Sequence, residues 1–318
     1  MIKPILEFEQ PLVQLEEKIA EMKELGKAID LSKEIAELER RTEALRKEIY
    51  QNLTRWQRVQ IARHPARPHT LDYLKNIFTD FIEIHGDRSS GDDTAIVGGL
   101  AKIKGLSVVV FGNRKTKDKK SNMYRPAAIP TVEGYRKIIK LLKFAERFEK
   151  PVISLVDVPY EIPSAEEEAR GLAHFAGLCI KEMLQTRTPV LNIIIGEGGG
   201  LPAAAMVAGD RLLMLENAWF SIVSPEKAAE IHWGSSDFKE QAAEALKLTA
   251  ADLKDLSLID EVVAEPIGGA HRNHKMMFDI LKNTISYELK ELSREKIDKA
   301  LKKRREKFYS IGVWKEND

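Results

Sequence analysis

The chain has 318 residues, 43% of them hydrophobic and 31% charged, which is enough for one large domain or two small ones around a sizeable core. A formal net charge of +1 gives no reason to expect nucleic acid or an acidic membrane surface as partner. The single cysteine, Cys179, excludes an internal disulfide and a zinc ribbon. Inside the helical pattern from His174 to Leu184 it reads as a small core residue rather than a reactive thiol.

The first ten residues, MIKPILEFEQ, lack the apolar stretch of a signal peptide. No run approaches the roughly 18 apolar residues of a membrane helix, so a cytoplasmic protein with no membrane contact is expected. Residues 1–62 form the first unit. Leu12, Leu15, Ile19 and Met22 step by three and four, and Leu31, Ile35, Leu38, Leu45 and Ile49 repeat the pattern with Thr42 in the gap. Gly26 breaks the pattern and the Asp30/Ser32 region restarts it, which predicts a helical hairpin. Its thin stripe suits packing on its own body or on a partner subunit.

Residues 63–318 form the second unit. RHPARPHT (63–70) has two prolines and no period, and reads as a linker. Thr70 then caps a helix through LDYLKNIFTDFIEI, followed by the turn-rich HGDRSSGDD. Ala95 to Ile103 and Leu106 to Gly112 flank Lys104-Gly105 as a β-hairpin. PVISLVD (151–157), PVLNIIIG (189–196) and Arg211 to Leu215 are strands apolar on both faces, hence buried on both faces. Helical patterns lie between them at Val132 to Phe148, Ala165 to Gln185 and Pro202 to Gly209. Strand–helix–strand repetition predicts parallel βαβ units. Residues 225–262 read as helical with a final short strand at 261–263, and 274–308 as one long charged helix.

In such folds chemistry sits at the C-terminal ends of parallel strands. Two strand-to-helix turns qualify: Asp157 to Ser164 (DVPYEIPS) and Gly196 to Ala203 (GEGGGLPA). The glycines serve either tight packing or the presentation of backbone N–H groups to an anion. The second turn lacks the ending of a P-loop and the spacing of a dinucleotide fingerprint. The seven histidines show no metal spacing. His271 and His274 are three apart without a visible third ligand, so no metal is expected. Asp92-Asp93 and Glu166-Glu167-Glu168 read as caps or solvated faces.

Blocks along residues 5–311 resemble a known family. Among them are NLTRWQRVQIARHPARPHTLDY, FTDFIEIHGDR, GDDTAIVGGLAKI, IIIGEGG, GDRLLMLENAWFSIVSPE and LIDEVVAEPIGGAHR. They are similar to acetyl-CoA carboxylase carboxyltransferase alpha subunits of the crotonase superfamily. The resemblance implies an α/β fold, a crotonase-like ββα spiral with an N-terminal helical hairpin and a long C-terminal helix. It implies carboxyl transfer from biotin, held on a separate biotin carboxyl carrier protein, to acetyl-CoA, giving malonyl-CoA. It also implies a beta carboxyltransferase subunit as partner in an α2β2 assembly, and negative charge on the biotin ureido oxygen that awaiting donors would stabilise.

By that resemblance Gly199, Gly200 and Leu201 are the catalytic backbone donors, and Gly198, Tyr160, Ser164, Glu166 and Lys115 line the substrate. The chain departs from the family at these turns. DVPYEIPSAEEEARG stands for DTPGAYPGIGAEERG, so Tyr160, Ser164 and Glu166 replace glycines. GEGGGLPA stands for GEGGSGGA, so Leu201 and Pro202 replace the paired glycines. Pro202 lacks an N–H, sits comfortably as a first helical residue, and impairs the turn. Leu201 disfavours a positive φ and projects into the cleft. RKTKDKKSN stands for QKGRDTKEN. There Lys115, Asp118, Lys120 and Asn122 stay and Thr116 replaces glycine. Whether Lys115, Lys117, Lys119 and Lys120 meet CoA phosphates or form a solvated basic loop stays open. Three readings follow: a working alpha subunit, a catalytically silent alpha-like subunit of assembly or regulation, and a crotonase-fold enzyme for another acyl-CoA.

Overall fold

The computed structural model describes residues 5–26, 30–115 and 128–312. The expectations for Thr116, Lys117, Asp118, Lys119, Lys120 and Asn122 lie outside the described residues. The hairpin forms as α1 (Gln10–Leu25) and α2 (Ser32–Gln51), with Leu12, Ile19 and Thr42 buried in its seam. A short 3-10 turn at Glu7–Glu9 precedes it and buries Glu9. Burial pushes the Glu9 carboxyl up, but His271, the Tyr50 hydroxyl and Arg272 outweigh it and bring it from 4.5 down to about 2. A depressed carboxyl stabilises the fold fully above its unfolded value and loses that contribution as pH falls through its folded value. The attachment of the hairpin should therefore weaken as pH drops from 4.5 toward about 2. Glu9→Gln should flatten that part of an acid-denaturation curve.

Helix α3 (Arg55–Ala62) starts at a capping box: Thr54 Oγ1 accepts from Gln57 N at 3.2 Å and Gln57 Oε1 from Thr54 N at 2.8 Å. The following segment is not a solvated linker. Arg67 is wholly buried in it, so its prolines shape a packed connection. Helix α4 (Thr70–Ile77) is capped at His69 rather than Thr70. Asp72 Oδ2 accepts the His69 N–H at 2.9 Å. The helix also ends earlier than its periodicity implied, and β1 (Thr79–Glu83) takes over with Phe81 against the core. The alternation TDFIE satisfies an edge strand as well as a helix face.

Next come β2 (Ile96–Ile103) and β3 (Leu106–Asn113), α5 (Val132–Arg147) and β4 (Val152–Val158). Then follow α6 (Ala165–Ala169), α7 (Leu172–Gln185) and β5 (Val190–Gly199). The expected single helix over 165–185 is split because Gly171 takes φ +85°. The chain continues through α8 (Gly200–Ala204), β6 (Arg211–Leu215), β7 (Trp219–Ser221), α9 (Pro225–Trp233), α10 (Lys239–Leu246), α11 (Ala250–Asp255) and β8 (Glu261–Val263). The sheet runs β1-β2-β3-β4-β5-β6-β8, with β7 paired to β5. The first three strands are antiparallel and the rest join in parallel. Its apolar runs fill the core, with α5 and α7 packed together on one face.

The expected long tail helix is two helices, α12 (His274–Leu292) and α13 (Ile297–Tyr309). The break lets α13 return to the body through Arg304. That guanidinium is buried and donates to Met183 O at 2.8 Å, Thr186 O at 2.9 Å and Thr188 O at 2.9 Å, and pairs with Asp210 at 2.6 Å. Arg304→Ala should cost about 1.5–3 kcal/mol, since it strands a carboxylate and several carbonyls. Protease cleavage ahead of α13, with the sheet still intact, is the readout.

Candidate active site

The C-terminal ends of β3, β4 and β5 converge on one spot. Strands β4 and β5 lose register there: Val156 pairs with Ile194, but Val158 pairs with Gly198. The extra β5 residues bulge, and Glu197 N–H donates to Asp157 Oδ1 at 3.0 Å. A Cβ at Gly196 would lie 2.5 Å from that oxygen, which explains the glycine. Asn113 at the end of β3 closes the back, accepting from Asp157 N at 3.2 Å and donating to Ala128 O at 2.9 Å.

Five segments place charges on this bulge. Lys115 Nζ donates to Asp157 Oδ1 at 2.5 Å and to Glu197 Oε1 at 2.9 Å. Arg63, just past α3, donates to Glu197 Oε2 at 2.7 Å and also pairs with Glu226 of α9. His69 Nδ1 lies 2.9 Å from Asp157 Oδ2. Burial alone would raise both carboxyls. Lys115, then His69, hold Asp157 far below the usual carboxylate range, and Lys115 and Arg63 lower Glu197. In return, the two carboxylates outweigh desolvation and push the Lys115 ammonium above its ordinary value.

In front of this bulge is a cavity of about 520 Å³, inside the roughly 300–1,000 Å³ range of small-molecule sites. Its walls are mostly apolar and include Ile129, Tyr135, Leu172 and Ile222. Tyr160, Ser164, Glu166, Leu201 and Pro202 complete the rim. The structure therefore gathers these five side chains, all singled out from the sequence, at one opening. Ser164 Oγ is also a helix cap, accepting from Glu167 N at 3.2 Å.

Other expectations change. The glycine run is not a turn along its whole length. Residues 196–199 continue β5, and 197–199 pair with β7, Gly198 opposite Phe220 and Gly199 opposite Ser221. Gly198 is pressed against β7 and does not line the cavity, its would-be Cβ 3.0 Å from Trp219 O. Gly199 lies so close to the β4 exit that a Cβ would come 2.2 Å from Tyr160 N. The left-handed residue is Gly200, at φ +62°, so Leu201 carries no positive φ and no strain. Pro202 is the third residue of α8, not the first, and its missing N–H removes no intrahelical bond there. The ring of Tyr160 covers Gly200, its Cδ2 3.1 Å from a would-be Cβ. Lys115 does not line the cavity, and its ammonium is engaged by two buried carboxylates.

Sequence reading missed Arg63, His69, Asp157 and Glu197 as a group. One signal was present: Asp157 and Glu197 are the lone charges ending the apolar runs PVISLVD and NIIIGE. The structure also brings Glu9, His64 and His271 together, with ligand atoms all within 4.8 Å of one another. His64 Nδ1 there accepts from Ala66 N at 3.1 Å, and Tyr50 donates to Glu9 at 2.5 Å. Cys179 is buried as expected, and burial pushes its thiol up. Asp93 caps Thr131 N at 2.6 Å and Asp92 pairs with Lys137 at 2.9 Å. Among the described residues no helix is long and apolar enough to cross a membrane.

Similar folds occur in solved structures. A transcarboxylase 12S chain superposes with TM-score 0.58 at 17% identity, over 72% of this chain and 42% of that one. A chain of a Pseudomonas malonate decarboxylase hetero-tetramer gives 0.56 at 15%, over 68% and 86%. The mixed, mostly parallel sheet is thus the fold shared with these two proteins. More specifically, the chain belongs to the acetyl co-enzyme A carboxylase carboxyltransferase-like family, whose model matches residues 5–312. The acetyl-coenzyme A carboxylase carboxyl transferase subunit alpha of Chlorobium phaeobacteroides is 45% identical over 99% of both chains. That of Geobacter metallireducens is 46% identical over 98% of both.

Proposed function

We infer that this chain is the alpha subunit of an acetyl-CoA carboxylase carboxyltransferase, moving a carboxyl group from biotin to acetyl-CoA to give malonyl-CoA. The observation that carries the reading is the end-to-end match at 45% identity to a relative of that name. Biotin arrives as substrate on a carrier protein, and a beta subunit supplies the other half of the site in an α2β2 assembly in the cytoplasm.

The residues of the cavity fit a small bicyclic head group. Apolar walls from Ile129, Tyr135, Leu172 and Ile222 exclude water, and the first turn of α8 offers backbone donors. With Gly198 and Gly199 committed to the strand, those donors are the Gly200 and Leu201 N–H groups. They would stabilise charge developing on the biotin oxygen without moving, because Gly200 already holds the turn. The N-terminal hairpin, residues 1–62, is proposed as a packing surface for a partner subunit, and 63–318 as the carboxyltransferase unit.

A second reading, an alpha-like subunit that assembles without turning over, is favoured by one observation. Tyr160 covers Gly200, and Leu201 and Pro202 occupy the rim. Reverse transfer, in which biotin and malonyl-CoA give carboxybiotin and acetyl-CoA, separates the two readings when the chain is mixed with a beta subunit.

A further inference from the structure

We propose that Lys115 is a positioning residue. Its ammonium clamps the end of β4 to the bulge of β5 and so fixes the Gly200–Leu201 turn and Tyr160 at the mouth of the cavity. Three observations carry this. First, Lys115 bridges Asp157 at 2.5 Å and Glu197 at 2.9 Å, and its side chain is only 14% exposed. Second, each carboxylate sits three residues before one side of the opening: Asp157 precedes Tyr160, and Glu197 precedes Gly200. Third, none of the clamp residues Lys115, Asp157 and Glu197 lines the cavity, so the clamp acts through the backbone and not on substrate.

Without the ammonium, two buried carboxylates would face each other across a bulge held by backbone N–H groups, Asn113, Arg63 and His69. Other charges near the pair are Glu226 of α9, paired to Arg63, and Arg67, which interacts with Asp157 from the 63–70 segment together with Tyr73 of α4. Besides Lys115, Arg63 donates to Glu197 at 2.7 Å and His69 Nδ1 lies 2.9 Å from Asp157. Neither can bridge both carboxylates as Lys115 does. One carboxylate would then relieve the repulsion by taking a proton.

The test uses the full chain with its beta subunit and has two arms. Hydrogen exchange is read on peptides covering 158–164 and 196–206, and reverse carboxyl transfer is read with biotin and malonyl-CoA. The kinetic arm alone rests on the functional reading above. Lys115→Met should speed exchange in those two peptides about tenfold, as expected for a lost charge-assisted hydrogen bond. It should lower kcat roughly 10²-fold, the order expected for a small misplacement of catalytic donors, and leave the KM for biotin little changed.

Both defects should shrink as pH falls from about 8 to about 6, a limb the wild-type profile should lack. The double variant Lys115→Met/Asp157→Asn should recover most of the protection and most of kcat. An amide oxygen still accepts the Glu197 N–H, and Glu197 keeps Arg63. Unchanged exchange in Lys115→Met, or a double variant no better than the single, overturns the proposal. A wild-type chain that transfers nothing but shows the expected exchange pattern overturns the functional reading and leaves the clamp standing.

Discussion

Leu201→Gly/Pro202→Gly should raise the rate of reverse carboxyl transfer by about 10²–10³, the effect of one oxyanion donor. Both residues line the cavity, and both lie in the first turn of α8, where N–H groups have no intrahelical acceptor. Leu201 keeps its N–H and Pro202 has none. Glycine at 202 therefore adds a donor, and glycine at 201 only removes bulk. Pro202→Gly alone should accordingly deliver most of the gain. The helix should survive, because Gly200 already supplies the left-handed residue and Ala205 N still bonds to Leu201 O at 2.9 Å. The cost is a flexible residue in a short helix, about 1 kcal/mol or less of stability. Equal rates for wild type and both variants would show that position 202 does not face the developing charge. If only Leu201→Gly helped, steric access and not a missing donor would be the limit.

Arg67→Met should lower the unfolding free energy by about 3–5 kcal/mol. Arg67 and Glu265 are both fully buried and pair in a two-bond fork, Nη1–Oε2 at 2.9 Å and Nη2–Oε1 at 2.5 Å. Arg67 Nε also donates to Ile195 O at 2.9 Å, on the strand just before the bulge. Glu265 takes two more donors, Asn217 N at 3.0 Å and Ala270 N at 2.7 Å. Loss of the guanidinium leaves a buried carboxylate with only those two amides. Arg67→Met/Glu265→Leu should recover part of the loss but not all, since the amides then lack an acceptor. Urea midpoints at a constant m-value measure both effects. A loss under about 1 kcal/mol for the single variant would mean that the pair is replaced by solvent, contrary to its burial.

The sheet was legible where its strands are long and apolar. β-Branched runs such as VISLV and VLNIII can satisfy only a strand buried on both faces, and Lys104-Gly105 marks a hairpin by composition alone. It was illegible where a short segment fits two periods. TDFIE continues the α4 pattern and becomes β1 only because the edge of β2 is there to receive it. The three-residue β7 has no pattern of its own, and it turned a glycine loop into the end of β5. The tail read as one helix because nothing in its periodicity reveals that Arg304 must reach the carbonyls past α7.

The candidate site divides in the same way. Its rim was readable from two turns, but its charged buttress was not. Arg63, His69, Lys115, Asp157 and Glu197 come from four segments, and the register shift between β4 and β5 helps make them neighbours. Lys115 illustrates the limit. In sequence it sits in a basic run that suits either phosphate contact or a solvated loop, whereas in three dimensions its charge is neutralised by two carboxylates.

Reverse carboxyl transfer by this chain, reconstituted with a carboxyltransferase beta subunit, decides whether the turn works. An alpha subunit with a working but narrowed turn predicts acetyl-CoA formation from malonyl-CoA that requires biotin and both chains, and that rises when Pro202 becomes glycine. A stable complex of the two chains that forms no acetyl-CoA, with or without glycine at 202, would contradict it.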